Sequence, residues 1–185
     1  MRKLEIGPGK YPLKGFEHMD IVERRCVQHV ADAGGKLPFK SNTFGFIYAS
    51  HVIEHLPWYN SNLIMKEWVR ILDHGGEINV WTPNAAKVAQ CILDAESGTL
   101  TALPPGEKWK YRNKQKNPFR WAAARLFATN VDKGRGNESW HHALFTPRYL
   151  SDLMKGSGLI NVTPLEKPLG YDHGWTNMGF SGTKP

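Results

Sequence analysis

Two short apolar segments with an amphipathic segment between them constrain the fold more than any other feature of the sequence. Residues 46–50 (FIYAS) and 77–82 (EINVWT) have the length and the apolar composition of buried strands. Between them, Ile64, Trp68 and Ile71 recur at helical spacing, which indicates one apolar helix face. A strand, a helix and a strand in this order form a βαβ unit, so the sequence predicts an α/β fold with a largely parallel sheet.

The remaining predicted elements extend this pattern in both directions. Further strands are predicted at 3–6, 17–21, 28–31, 160–166 and 176–183, and further helices at 84–96, 119–128 and 146–156. Asn60 or Ser61 is expected to cap the central helix through its side chain, and Gly75 to follow the end of that helix. Residues 7–16, between the first two strands, are too few for a full helix. The first crossover is therefore predicted to be a loop or a single helical turn.

Positive charge is concentrated in one segment of the chain. Residues 107–135 contain nine Lys or Arg against Glu107 and Asp132, whereas the rest of the sequence has 15 basic and 15 acidic residues. Such a segment can attract an anionic substrate, but a solvated loop and helix would have the same composition, and both interpretations stay open.

Hydropathy and cysteine content exclude several classes of protein. The sequence has no run of 18 apolar residues and no apolar N-terminal stretch of signal-peptide length, so we expect no membrane span and a cytoplasmic location. The two cysteines, Cys26 and Cys91, are far apart, which indicates neither a disulfide framework nor a cysteine zinc site.

The stretch ASHVIEHLP contains His51, Glu54 and His55 in a His-x-x-Glu-His arrangement, one of the zinc-hydrolase patterns. Such a site needs both histidines on adjacent turns of one helix and a third ligand, for which His141 and His142 are available. Pro57 follows at once, so the helix can be a short turn at most. A zinc hydrolase is therefore kept as an alternative, and no metal ligand is assigned.

A glycine turn and two acidic residues indicate a nucleoside site. Gly7-Pro8-Gly9 follows the first predicted strand, and Asp20 and Asp32 come at the ends of the second and third. In open α/β sheets ligands bind beyond the carboxyl ends of the strands, where an aspartate can accept the two hydroxyls of a ribose. A third glycine and a first helix are missing, which argues against a dinucleotide and for a ligand without a diphosphate.

The runs LEIGPG, HMDI, ADAGGKLPFKSNTFGFIYASHVIEHLP and LIMKEWVRILDHGGEINVWTPN resemble, in order and spacing, a class I S-adenosylmethionine-dependent methyltransferase. They are most similar to a small type 11-like group with a shortened first crossover, and HHALFTPRYLSDLMKGSGLINVTPLEKP resembles the last helix and strand pair of that family. The resemblance implies a Rossmann-like, mostly parallel sheet with an antiparallel last strand. The length of 185 residues favours a single methyltransferase domain, 1–185. Residues 97–140 lie outside the resemblance and are expected to form a basic insert or lid.

The same resemblance implies S-adenosylmethionine as cofactor, S-adenosylhomocysteine as product and a set of cofactor contacts. Asp20 would bind the ribose hydroxyls with Ile21 against the adenine, and Asp32 would approach the adenine amino group with Ala33 beside it. Glu5, Gly7 and Gly9 would shape the turn under the methionine part of the cofactor, and Ser50 would face the cofactor. Pro8 and His51 are expected among the cofactor contacts as well.

Two histidines are the candidates for chemistry on the methyl acceptor. His51 is expected to orient the acceptor or to take its proton, His141 to close over the site, and Glu54 and His55 to fix the turn. The predicted function is methyl transfer to an anionic or hydroxyl-rich acceptor, such as a glycan, a nucleotide-linked sugar, a nucleic acid or a small molecule. Besides the zinc hydrolase, a non-catalytic nucleic-acid-binding module and an enzyme that uses the cofactor for another reaction remain as alternatives.

Overall fold

The computed structural model describes residues 1–109, 113–127 and 140–185, which form one seven-stranded sheet with helices packed on it. The strands are β1 (Lys3–Ile6), β2 (Glu17–Asp20), β3 (His29–Val30), β4 (Phe44–Ser50), β5 (Leu72–Pro83), β6 (Ile160–Leu165) and β7 (Asn177–Thr183). The helices are α1 (Ser61–Ile71), α2 (Ala85–Glu96), α3 (Pro118–Leu126) and α4 (Pro147–Gly156), and two single 3-10 turns cover Ile53–His55 and Trp58–Asn60.

The sheet has the order β3-β2-β1-β4-β5-β7-β6. The five strands from β3 to β5 in this order pair in parallel, whereas β7 pairs antiparallel with both β5 and β6. The predicted Rossmann-like sheet with an antiparallel last strand is therefore confirmed. The loop between β1 and β2 contains no helix, so the shortened first crossover is confirmed as well.

Two of the later helices begin at capping side chains. Asn84 Oδ1 accepts hydrogen bonds from the main-chain N–H groups of Ala86 and Lys87 at the start of α2. Thr146 Oγ1 accepts from the N–H of Tyr149 at the start of α4. Pro147, at the first helical position, has no N–H that would need an acceptor. Short polar side chains at these positions satisfy donors that the first helical turn leaves free.

The ends of the central helix differ from the prediction. Asn60 precedes α1 but its side chain makes no capping bond, and Ser61 Oγ donates instead to the carbonyl of Trp58 at 2.9 Å. The chain passes directly from α1 into β5 at Leu72, which is already extended. Gly75 lies inside β5 with φ +72°, where its N–H donates to the carbonyl of Lys184. Gly75 therefore provides the left-handed conformation of a distortion within β5, and it does not end α1.

Two separate hydrophobic clusters hold the described residues together. The larger one lies between the sheet and the helices α1 and α4, and in it Trp68 is fully buried and donates through Nε1 to the carbonyl of Ala33. The smaller one joins α2 to α3 around Val88, Cys91 and Trp121. The described part of the basic insert is therefore packed on α2. Among the residues that the structure describes, no helix is long and apolar enough to cross a bilayer.

Candidate functional site

The carboxyl ends of β1, β2 and β4 open into one cavity of ≈ 1280 Å³. We call the part of it at the ends of β1, β2 and β3 the carboxylate half, lined by Gly7, Gly9, Asp20, Asp32 and Ala33. The part beyond β4 is the imidazole half, lined by His51, His55, Arg125, His141 and His173. Both sets of side chains face the same continuous space.

The glycine turn after β1 presents main chain to the carboxylate half. Gly7 and Gly9 have φ values of +69° and +57°, a conformation that costs a residue with a Cβ free energy. A Cβ on Gly7 would lie 2.4 Å from Val52 Cγ2, whereas a Cβ on Gly9 would have no atom within 4 Å. The turn therefore packs against Val52 on one side and leaves the main chain at Gly9 open to a ligand.

The two aspartates are each fixed by the main chain that follows them. Asp20 Oδ1 accepts from the N–H of Val22 at 3.0 Å, and Asp32 Oδ1 accepts from the N–H of Gly34 at 2.8 Å. Arg24 links Asp20 to the glycine turn, because its guanidinium donates to the carbonyl of Gly9 at 2.8 Å and lies 3.9 Å from Asp20 Oδ2. Each carboxylate has a second oxygen with which it can accept from a ligand.

Of four other residues expected at the cofactor, one lines the cavity and three do not. Ile21 is 61% exposed and lines the cavity, as its neighbour Asp20 does. Glu5, Pro8 and Ser50 do not line it. Glu5 is buried behind the turn, where its carboxylate accepts from the N–H of Leu13 at 2.8 Å, and burial raises the pKa of that carboxyl. Glu5 thus holds the first crossover in place from beneath.

His51 lies at the boundary of the two halves in a strained conformation. Its φ is +55°, which is uncommon for a residue other than glycine, and its N–H donates to the carbonyl of Trp81. The ring nitrogens face two acceptors, with Nδ1 2.9 Å from Glu54 Oε1 and Nε2 2.9 Å from Asn177 Oδ1. The orientation of the Asn177 amide is set because its Nδ2 donates to Asp172 Oδ1.

Two acceptors around one imidazole favour a proton on each nitrogen, as in an imidazolium. Burial by itself lowers the pKa of His51, but the Glu54 carboxylate outweighs it and the pKa is raised above its usual value. In this geometry neither nitrogen presents a free lone pair to an acceptor. The role of His51 as a base therefore stays a prediction, and the arrangement favours a positive charge at this position.

Glu54 is the buried counter-ion of this charge. It is 1% exposed, and Thr82 Oγ1 donates to its Oε2 at 3.1 Å. Burial raises the pKa of this carboxyl, yet the charge and the hydrogen bond of His51 outweigh burial and lower it to about 2. His173 stacks on His51 at 3.7 Å between ring centroids, and partial burial followed by the His51 charge lowers its pKa to about 4. His173 is accordingly neutral at pH 7.

His55 and His141 come together from distant parts of the chain. Their ring centroids are 4.9 Å apart, and the main-chain N–H groups of His142 and Ala143 both donate to the carbonyl of Glu54, at 2.7 and 3.0 Å. Burial lowers the pKa of His141, which keeps its ring neutral. The zinc-hydrolase pattern is not formed, because the His51 nitrogens are committed to Glu54 and Asn177 and do not join His55.

The basic segment contributes one described cation to the cavity. Arg125 lines it and forms an ion pair with Glu107. The other described cations of the segment are exposed and do not line the cavity; they are Lys108, Lys114, Lys116 and Arg120. Its remaining cations lie outside the described residues; they are Lys110, Arg112, Lys133 and Arg135.

Reasoning from the sequence missed Arg24, His173 and Asn177. Arg24 comes four residues after Asp20, a spacing that could have indicated an ion pair between them. Neither His173 nor Asn177 has such a local signal, because the antiparallel return of β7 beside β5 is what brings them to His51.

Comparison with known sequences gives one family match. Residues 14–80, from the first crossover to the middle of β5, match the Methyltransferase domain family. Over these residues the chain is similar to that family, as the resemblance in the sequence predicts. No curated protein matches the sequence.

Several solved structures share the fold of this chain at low sequence identity. A possible histamine N-methyltransferase from Thermotoga maritima is 22% identical with a TM-score of 0.56, and the match covers 100% of this chain and 82% of that protein. An S-adenosylmethionine-dependent methyltransferase from Archaeoglobus fulgidus is 12% identical with a TM-score of 0.56, over 99% of this chain and 86% of that one.

A third similar structure contains the reaction product. The methyltransferase CalH in complex with S-adenosylhomocysteine is 16% identical with a TM-score of 0.51. The match covers 100% of this chain and 51% of CalH, so this chain spans about half the length of that protein.

Proposed function

We propose that this enzyme transfers the methyl group of S-adenosylmethionine to a hydroxyl oxygen of an acceptor that also carries negative charge. One observation supports this proposal above others: a single cavity is lined by two aspartates and open main chain in one half, and by imidazoles with a guanidinium in the other. Its volume of ≈ 1280 Å³ exceeds the range of about 300–1,000 Å³ that is typical of a site for one small molecule.

The carboxylate half suits the cofactor. The open main chain at Gly9 lets the methionine part approach closely, and Asp20 can accept from the ribose hydroxyls while Ile21 covers the adenine. Asp32 lies where it can accept from the adenine amino group, beside Ala33. When bound, S-adenosylmethionine supplies an electrophilic methyl group on a sulfonium sulfur, and the two carboxylates offset its positive charge.

The imidazole half suits the acceptor. Methyl transfer is an in-line displacement that depends mainly on holding donor and acceptor close, but an unactivated hydroxyl must also lose its proton. His141 lines this half with a neutral ring, and Arg125 offers a cation to an anionic group of the acceptor. These groups favour an oxygen acceptor, because a hydroxyl must lose its proton during transfer. An unprotonated amine can attack the methyl group without a nearby base.

Calorimetric titration of the purified protein with S-adenosylmethionine tests the cofactor part of the proposal. Asp20→Asn keeps the acceptor for the N–H of Val22 but removes the charge, so affinity is expected to fall about 10- to 100-fold, the value of one or two charge-assisted hydrogen bonds. Asp73→Asn is the matched control, since Asp73 lies at the amino end of β5, the opposite edge of the sheet. Equal affinity in wild type and Asp20→Asn would contradict the assigned site.

A screen with methyl-labelled S-adenosylmethionine tests the acceptor part. Phosphorylated sugars, uncharged polyols and amines are compared, and mass spectrometry identifies the methylated atom. We expect label in an ether oxygen of a charged, hydroxyl-bearing compound. Transfer to nitrogen, or equal rates with charged and uncharged polyols, would contradict the acceptor class while leaving the cofactor assignment intact.

A further inference from the structure

Two histidines of the imidazole half and the buried carboxylate of Glu54 converge on one point. Methyl transfer as such does not require this cluster. Glu54, His55 and His141 each place one carboxylate oxygen or ring nitrogen within 4.8 Å of the other two. They come from the 3-10 turn after β4 and from the segment before α4. The set differs from the zinc-hydrolase pattern, because His51 is not part of it.

The hydrogen bonds of the two imidazoles determine which nitrogen is free. His55 Nδ1 lies 3.0 Å from the carbonyl of Trp140, and His141 Nδ1 lies 3.2 Å from the carbonyl of Leu126. A carbonyl only accepts, so each Nδ1 carries a proton, and Nε2 is the nitrogen that offers a lone pair when the ring is neutral. Donation of one ring N–H to a carbonyl is the arrangement that fixes the tautomer and orientation of metal-binding histidines.

Glu54 supplies the third, negatively charged member. Its Oε2 accepts from Thr82, whereas the fully buried Oε1 has no well-aligned hydrogen bond among the described residues and only the ion-pair contact with His51 Nδ1. Two imidazole lone pairs and a carboxylate converge here, although Glu54 also accepts from Thr82 and contacts His51. Electron-rich atoms at this spacing repel one another, and partial burial weakens the screening of that repulsion by water. A cation at their centre would remove this repulsion.

The main chain holds the three groups together before any ligand binds. The N–H groups of His142 and Ala143 both donate to the carbonyl of Glu54, and the N–H of His141 donates to the carbonyl of Phe127. These bonds tie the segment that contains His141 to the 3-10 turn that contains Glu54 and His55. A preformed ligand set of this kind is what a specific metal site needs.

We propose that Glu54, His55 and His141 bind a first-row divalent transition-metal ion through one carboxylate oxygen and the two Nε2 atoms. Two imidazoles and one carboxylate suit Zn²⁺, Co²⁺, Mn²⁺ or Fe²⁺, whereas Mg²⁺ and Ca²⁺ prefer oxygen ligands alone. Three protein ligands leave coordination positions open, and His55 and His141 both line the cavity, so these positions face the acceptor.

A consequence for the acceptor follows, and it rests on the proposed function. A cation at this position lowers the pKa of a hydroxyl that binds beside it, as zinc lowers that of water from about 16 to about 7. The hydroxyl would release its proton to solvent, and its oxygen would form the bond to the methyl carbon as the carbon–sulfur bond breaks. The substrate class is thereby narrowed to acceptors whose reacting hydroxyl can approach a metal, such as a diol.

Titration of the metal-free protein with Co²⁺ alone tests the site without cofactor or acceptor. We expect one Co²⁺ per chain, a visible absorption band that Zn²⁺ removes by competition, and a higher melting temperature of the metal-bound form. His141→Ala is expected to weaken Co²⁺ binding at least about 100-fold, since the loss of a ligand costs more than the 10- to 100-fold typical of its outer partners. The melting curve of the metal-free variant shows whether it is folded, and His55→Ala serves as a second variant.

His142→Ala is the matched control, because His142 is adjacent, exposed and outside the cluster. Its Co²⁺ affinity is expected to equal that of the wild type. No Co²⁺ uptake by the wild type, unchanged affinity in folded His141→Ala and His55→Ala, or an equal loss in His142→Ala would each overturn the assignment. Calorimetry with S-adenosylmethionine on the same metal-free sample separates the two proposals, because its binding depends on the carboxylate half.

Discussion

The two halves of the cavity are built in different ways. In the carboxylate half, the cavity is lined by main chain in a left-handed turn and by two aspartates whose carboxylates are held by the next loop. In the imidazole half, it is lined by ionisable side chains that hold one another, with the fully buried Glu54 between the His51 imidazolium and Thr82.

This difference separates binding from chemistry. A binding site formed by main-chain groups can recognise a ligand common to a whole family, and it tolerates substitution of the protein side chains around it. A network of buried charges instead fixes protonation states, and each member depends on its partners. We therefore expect substitutions in the carboxylate half to alter affinity with little loss of stability, and substitutions in the imidazole half to alter both.

The largest effect is expected for Glu54→Ala. Removal of this carboxylate leaves the His51 charge buried without its counter-ion, so the free energy of unfolding should fall by about 3–5 kcal/mol. Urea unfolding at pH 7 measures this change, with Asp20→Asn as the partner from the carboxylate half, expected within about 0.5 kcal/mol of wild type. Similar losses for both variants would remove the distinction between the halves.

Gly7→Ala should have the next largest effect. The left-handed φ costs an alanine about 1 kcal/mol, and the contact with Val52 Cγ2 adds about 1–2 kcal/mol more. Gly9→Ala has the same backbone cost but open space around its Cβ, so it should lose only the first part. In a double-mutant cycle, Val52→Ala should offset much of the Gly7→Ala cost, and additive losses would show that the contact does not matter.

A smaller effect is expected from the ion pair of Arg2 with Glu17, which lies at the end of β2 remote from Asp20. Arg2, and then His29, lower the pKa of Glu17 to about 2, from a usual value near 4.5. Because the folded-state pKa is depressed, the pair stabilises the protein above pH 4.5, and this is lost as pH falls toward 2. Both side chains of the pair are solvent-exposed, so the contribution is about 1 kcal/mol.

Unfolding of wild type and Glu17→Gln as a function of pH measures this contribution. The difference in stability between the two proteins should be largest at neutral pH and should vanish near pH 2. A difference that stays constant with pH would mean that Glu17 stabilises β2 by packing and not by charge.

The smallest effect is expected from neutral substitutions in the basic segment. Lys108→Gln, Lys114→Gln and Lys116→Gln together should leave stability and cofactor affinity unchanged within about 0.5 kcal/mol, since these lysines are exposed and do not line the cavity. With an anionic acceptor, kcat/KM should fall a few-fold at low salt and recover at high salt. Three exposed lysines elsewhere, Lys36, Lys40 and Lys66, provide the control. Unchanged turnover and salt dependence would identify the segment as a solvated surface.

The part of the site that could be predicted from the sequence follows from the same difference. Gly7, Asp20 and Asp32 each lie at or just after the end of a short strand, and local pattern plus the rule for parallel sheets is enough to bring them together. The fold followed from strand and helix periodicity in the same way. His51 and His141 could be predicted to lie at the site, but their contacts could not, because His141 and Asn177 reach His55 and His51 through the packing of the insert and the antiparallel strand β7.

The ends of α1 show a further limit of local reasoning. Asn60, Ser61 and Gly75 are residues that commonly flank helices, but β5 begins at Leu72 without a connecting loop. Tertiary pairing of β5 with β4 there overrides the local preference, and Gly75 is used inside the strand instead.

The close approach of Val52 to Gly7 predicts that the two proposed ligands influence the binding of each other. Val52 follows His51 directly, and its methyl group occupies the place that a side chain at residue 7 would take. A ligand that displaces the glycine turn would therefore also displace the peptide beside His51, and the reverse also holds. Reciprocity of linked equilibria then requires each ligand to change the dissociation constant of the other by the same factor, which equilibrium titration of each ligand with and without the other measures.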